Sequence, residues 1–282
     1  MNDAAIMDAP LRDATFAANR AMGRIALSVT AASGQSRRAR VHEAGSLRVR
    51  FPNTADTAQL DAIMVNTAGG MAGGDRFDIE AEVGADARLC LTSAAAEKIY
   101  RSLGPDTQVS VRLSVGPGAA LAWLPQETIL FDRARLRRTI DLDLARDASA
   151  LVAEAIVFGR SAMGETVACG HVFDRWRVRV GGELVFAETT RLDGEIDKRL
   201  SETAVAANGA AIASVLKLPG DEADAASIRA MQQNFLGEVG VSAWNGLALA
   251  RLVAPDGAAL RHDLIAVLTA WGGGMLPRLW LN

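Results

Sequence analysis

A chain of 282 residues, half of them hydrophobic, carries enough apolar matter for one large domain. Its 30 basic and 33 acidic residues leave a net charge of −3, which argues against a nucleic-acid binder or a membrane-surface binder. No stretch approaches the ~18 uncharged apolar residues of a membrane span, so no membrane partner and a cytoplasmic location are expected.

Residues 1–23 scatter Asp3, Asp8, Arg12, Asp13 and Arg20 among alanines and lack the apolar core of a signal peptide. They are set apart as a poorly ordered or variable N-terminus. Residues 24–282 are expected to form a single β-rich domain whose helical part lies at about 221–271. From Arg24 to about Arg191 the pattern is mostly of period two. Leu47–Phe51, Phe77–Val83, Val109–Val115 and Trp176–Val180 alternate cleanly, and Leu136–Leu144 alternates with one slip after Leu136. Alternation of this kind gives strands with one buried and one wet face. Such strands pair antiparallel more often than parallel. Ala119–Leu124 and Ala150–Phe158 are continuously apolar, as strands covered on both faces are, which points to packed sheets. The fold class expected is therefore mainly β, with stacked sheets of largely antiparallel strands. Val180-Gly181-Gly182-Glu183 predicts a hairpin turn. No internal repeat is evident.

The last third changes character. Ile228, Met231 and Phe235 fall at helical spacing. Trp244–Val253 reads as one strand. A second helix is predicted after the N-cap Asp256, with Leu260, Leu264, Val267, Leu268 and Trp271 as its apolar stripe and Gly272-Gly273-Gly274 ending it. The tail Met275–Leu281 is too apolar for a free end and is expected to pack on the body or on a partner.

Several sequence patterns for chemistry fail on inspection. Ala68-Gly69-Gly70-Met71-Ala72-Gly73-Gly74-Asp75 lacks the P-loop lysine and puts a carboxylate where phosphate would sit. Its flanks read as strands, so it is no dinucleotide fingerprint either. Gly159-Arg160-Ser161-Ala162-Met163-Gly164 is not a nucleophile elbow. The two cysteines, Cys90 and Cys169, match no zinc spacing, and Cys169-Gly170-His171 supplies only two ligands. Carboxylates are the one ingredient in generous supply: Asp75 closes the glycine-rich segment, and Glu97, Glu127, Asp132, Glu154 and Glu165 lie in or beside apolar stretches. Each must pair with a cation, accept hydrogen bonds or meet water, and Arg101, Arg133 and Arg160 are the nearby cations in sequence.

Five segments, in this order, resemble the urease accessory protein UreD (UreH) family. They are Asn66–Arg76, Leu91–Ser102, Trp123–Phe131, Gly159–Glu165 and Leu276–Trp280. The resemblance runs from about Gly45 to the end of the chain, with Ser46 and Arg50 where the family often has Pro and Gln, and Ala94 or Ala95 where it often has Gln. It implies stacked β-sheets with two helices near the C-terminus, and a non-enzymatic scaffold in urease maturation. The implied partners are UreF, UreG and apo-urease. No tightly bound cofactor or tight metal site is implied, only a nickel ion in transit. Asp75, Glu97, Glu127, Asp132, Glu154 and Glu165 are the candidate lining of its path. Leu260, Leu264, Trp271, Leu279 and Trp280 are the candidate partner-binding surface. Two alternatives stand beside this reading: a β-sandwich hydrolase using carboxylates such as Asp75 or Glu165, and a purely structural interaction module that carries no ion.

Overall fold

The computed structural model describes residues 20–53, 58–160, 163–272 and 276–281. Two sheets face each other. The first runs in the order β14 (Glu183–Glu195), β13 (Cys169–Val180), β11 (Arg135–Leu144), β8 (Thr107–Val115), β5 (Arg76–Val83), β1 (Met22–Ala32), β2 (Gln35–Gly45). The second runs β16 (Glu238–Trp244), β17 (Leu247–Ala254), β15 (Ala211–Leu218), β12 (Ser149–Phe158), β9 (Ala120–Leu124), β6 (Arg88–Ser93), β4 (Leu60–Asn66), β3 (Leu47–Arg50). The short strands β7 (Glu97–Ile99) and β10 (Thr128–Leu130) extend the second sheet beside β12. β1 already begins at Met22, inside the stretch set apart as variable; residues 1–19 of that stretch lie outside the described residues.

The expectation of largely antiparallel pairing is corrected. Every pairing from β1 through β5, β8 and β11 to β13 is parallel, and so is every pairing from β4 through β6 and β9 to β12. Antiparallel partners stand only toward the sheet edges. The cause is a coil. The chain crosses from a strand of the first sheet to one of the second, and comes back one place further along. Alternation reports which face is buried and is silent about strand direction.

A repeat marks the coil, contrary to the sequence reading. Val83-Gly84-Ala85-Asp86-Ala87, Val115-Gly116-Pro117-Gly118-Ala119 and Leu144-Ala145-Arg146-Asp147-Ala148 make the same crossing turn. In each, the fifth residue is a buried alanine whose amide donates to the carbonyl of the second, at 3.1 Å in all three. The turns also stack, with Gly116 N donating to Val83 O and Ala145 N to Val115 O, both at 2.8 Å. Beyond the buried fifth-position alanine the three turns share little, with Ala85, Pro117 and Arg146 at the third position, so the repeat is weak in sequence.

The two strand classes map onto the layers. Of the alternating strands, β5, β8, β11 and β13 belong to the first sheet, which buries one face against the second, and β3 stands at the edge of the second sheet. Continuously apolar β9 and β12 belong to the second sheet, which is covered on its far side as well. That cover is α2 (Glu222–Arg229), α3 (Gly257–Trp271) and the C-terminal tail, which form a second core with Leu151, Ala153, Ala155 and Val215. The Asp256 N-cap accepts from Ala259 N at 2.9 Å, and α2 carries an Asp221–Asp224 capping box. A short α1 (Ile196–Ser201) follows β14 and carries no helical signal in the sequence reading. Trp244–Val253 is not one strand: Asn245 and Gly246, at φ 48° and 75°, turn β16 into β17 as a hairpin.

Candidate functional site

Between the sheets lie two cavities that share a wall. The first has a volume of about 330 Å³ and is lined by Asn66, Gly70, Glu97, Trp123, Arg138 and Glu154 among others. Its mouth is at the exposed Gly69, Ala94, Ala95 and Lys98. The second, about 200 Å³, is walled by Arg138, Glu154, Asp174, Glu188, Thr190 and Arg251 among others. It ends at the Glu188–Arg251 ion pair, 2.7 Å long, whose arginine is exposed. A larger groove of about 630 Å³ lies beyond the second sheet beside Trp271, but its lysine, Lys217, is paired to Asp224 and no buried carboxylate faces it.

The shared wall is a buried ion cluster. β11 presents Leu136, Arg138, Ile140 and Leu142 inward, so Arg138 occupies a slot that period two reserves for an apolar side chain. The apparent slip after Leu136 is therefore an arginine in register, not a shift. On the neighbouring β13, Asp174 takes the inward slot between Val172 and Trp176 and pairs in register with Arg138. The guanidinium grips Asp174 with two parallel bonds, Nε to Oδ1 at 3.1 Å and Nη2 to Oδ2 at 2.5 Å. Its Nη1 reaches across to the second sheet, donating to Glu154 Oε2 on β12 and, at 3.4 Å, to Thr128 Oγ1 on β10. Trp123 Nε1 on β9 donates to the other Glu154 oxygen at 2.8 Å. Burial weakens the hold of Arg138 on its proton, but Asp174 and Glu154 together outweigh that and strengthen it. Burial pushes Glu154 up from the usual carboxylate range, against the pull of Arg138 and the Trp123 N–H.

Nearer the mouth, Glu97 sits on β7 and accepts from Asn66 Nδ2 at 2.8 Å. Burial pushes its carboxyl up to about 7, and the bonds from Asn66 and the Lys98 backbone only partly oppose this. Asn66 Nδ2 also donates to Gly70 O at 3.2 Å, which ties the glycine-rich segment to the carboxylate. Gly70 has φ +148°, and a Cβ there would stand 2.5 Å from Tyr100 Cε2 and 3.0 Å from Lys98 O. Gly70 thus serves close backbone approach at the cavity mouth.

The family model described as UreD urease accessory protein matches residues 21–281. A urease accessory protein UreD of Rhodopseudomonas palustris (strain HaA2) is 56% identical over 269 residues, covering 95% of this chain and 96% of that protein. One of Bradyrhizobium diazoefficiens is 56% identical over 267 residues, again 95% and 96% of the two chains. This chain belongs to the UreD family.

In this UreD-family chain, only two of the six candidate carboxylates, Glu97 and Glu154, line the cavities between the sheets. Asp75 is buried and spends its oxygens on Ala21 N and Ala72 N, at 2.8 and 2.7 Å, closing the glycine-rich loop. Glu127 pairs with Arg261 at 3.0 Å. Asp132 accepts from Cys169 N at 3.1 Å, and Glu165 pairs with Arg160 at 2.5 Å, with Asp132 N 3.5 Å from Glu165. That leaves Asp132 and Glu165 together, on a surface separate from the cavities. Cys169 is exposed and His171 is buried against Asp193, so the two do not present a joint face. Among the described residues no group of three or more His, Cys, Asp or Glu is placed to hold a metal ion.

The apolar candidates for a partner surface are turned inward. Leu260, Leu264, Trp271 and Trp280 are buried in the second core, and Trp280 Nε1 donates to Leu124 O at 3.0 Å. Leu279 alone is half-buried. An apolar stripe on a helix needs a cover, and here the chain's own second sheet provides it. Arg138, Asp174 and Trp123 were missed as site residues. The signal that marks Arg138 and Asp174 is a charged residue standing at an inward position of an alternating strand; Trp123, on a continuously apolar strand, carries no such signal.

Proposed function

We propose that this UreD-family chain is a urease maturation factor, a non-enzymatic cytoplasmic scaffold that works with UreF, UreG and apo-urease and passes nickel between them. The observation that carries the reading is the pair of cavities with Glu97 and Glu154 in their walls. A route for an ion in transit must bind weakly enough to release it. Carboxylate oxygens in a roomy cavity suit that better than clustered thiolates and imidazoles. Asp75 and Glu165, the residues a carboxylate hydrolase would use, are committed to backbone amides and to Arg160 respectively, which favours the scaffold. No helix among the described residues is long and apolar enough to cross a membrane.

The test is urease activity in nickel-supplied cells that carry the urease structural and other accessory genes but lack this one. Apo-urease is expected to accumulate inactive and to be activated when the chain is restored. Full urease activity without it, and with no related copy present, contradicts the role.

A further inference from the structure

A side chain of the protein itself occupies the junction of the two cavities. Arg138 is 4% exposed, Glu154 6% and Asp174 7%, so this ion cluster sits in the middle of an apolar core. Stability alone does not call for it. Removing charges from water costs several kcal/mol per ion, and apolar residues of similar volume commonly hold such a position as well or better. The inward neighbours Leu136, Ile140, Val172 and Trp176 show what the slots otherwise accept. What the cluster adds is a cation fixed between two carboxylates from different sheets, on the wall that both cavities share.

We propose that the Arg138 guanidinium holds the place of a divalent cation between Glu154 and Asp174, and that an ion crossing from one cavity to the other exchanges with it. This rests on the passage reading given above. The oxygens gathered around the guanidinium are those of Glu154, Asp174 and Thr128, a hard donor set of the kind divalent cations take. Because Arg138 is tethered to its strand and permanently charged, it competes for these oxygens at high effective concentration. The junction then stays weak for a passing ion, which enters only while the guanidinium is displaced and leaves when it returns. Without the arginine, the same carboxylates become a trap.

The experiment is a calorimetric titration of Ni²⁺ into the full-length chain and its variants, each first shown to unfold cooperatively. Arg138→Met, which keeps an unbranched apolar stem and loses the charge, is expected to gain one Ni²⁺ site at least tenfold tighter than any in the parent. Arg138→Met combined with Glu154→Gln is expected to lose it, and Arg138→Lys, which keeps a cation in place, to stay near the parent. Should Arg138→Met not fold, Arg138→Gln makes the same test. A folded uncharged variant that binds Ni²⁺ no better than the parent overturns the proposal, as does a gained site that survives Glu154→Gln. Activation of urease by a Glu97→Gln/Glu154→Gln chain separates the two readings. Lost activation without a gained site in Arg138→Met retires the exchange and leaves the passage standing. A gained site with full activation retires the passage, and the crossing with it.

Discussion

Glu97 shows how one residue's surroundings set its chemistry. Its carboxyl is pushed up to about 7 by burial, so the folded chain holds a proton there that the unfolded chain releases near 4.5. A raised folded pKa contributes stability that is present at low pH and lost as pH rises toward about 7. Glu97→Gln removes that titration. Denaturant unfolding at pH 5 and pH 8 should therefore show the variant gaining on the parent with rising pH, by up to about 3 kcal/mol; equal slopes for the two proteins would refute the shift. Gly70→Ala, at the same cavity mouth, should cost about 1–3 kcal/mol in the same assay, because the new Cβ meets Tyr100 and strains a positive φ. Carboxylates beside apolar runs are visible in the sequence, which is why Glu97 and Glu154 could be picked out. Which of the six face a cavity depends on partners far away in the chain, such as Arg261 for Glu127 and Ala21 for Asp75. Those partners were not legible. Arg138 was in plain view as a broken alternation, but an arginine in an inward slot looks like a register slip until its partner Asp174 is known.

Among the elements, the C-terminal tail is held by the burial of Trp280, by Gln126 and by one side chain of α3. Arg261 donates to Gln126 Oε1 at 2.6 Å, to Glu127 Oε1 at 3.0 Å, and to the carbonyls of Leu279 and Trp280 at 3.0 and 3.2 Å. It also lies over the Trp280 ring. Arg261→Met leaves the buried Glu127 unpaired and should destabilise the chain by about 2–4 kcal/mol. Hydrogen exchange at the Trp280 and Leu281 amides should rise more than exchange in β12, and uniform rates across both would argue against a clamp. The elements themselves were largely legible, since strand alternation, the Gly181-Gly182 hairpin and the Asp256 cap are local signals. The Asn245-Gly246 turn carries an equally local signal, an Asn-Gly pair between two apolar runs, where the strand expected over Trp244–Val253 breaks. Strand direction was not legible. A crossing turn built from Gly, Ala and Asp and a hairpin turn draw on the same small residues, and only the stacking of one coil on the next distinguishes them.

For the molecule as a whole, two sheets and a helical cover divide the work. The second sheet is covered by α2, α3 and the tail, which leave a groove beside Trp271, and the space left between the sheets holds the carboxylate-walled cavities. Layering was foreseeable from the contrast between alternating and continuously apolar strands. The inward turn of Leu260, Leu264, Trp271 and Trp280 was not, because an apolar stripe is the same whether a partner or the chain itself covers it. In the proposed role an ion passes through the space between the sheets and not along the outer surface. The most direct measurement is nickel-dependent activation of apo-urease by the purified accessory complex. It compares Glu97→Gln/Glu154→Gln with Asp132→Asn/Glu165→Gln, at matched complex assembly. At least a tenfold loss of activation is expected for the cavity pair and less than a twofold change for the surface pair; full activation by the cavity pair, or an equal loss in both, would put the ion's route elsewhere.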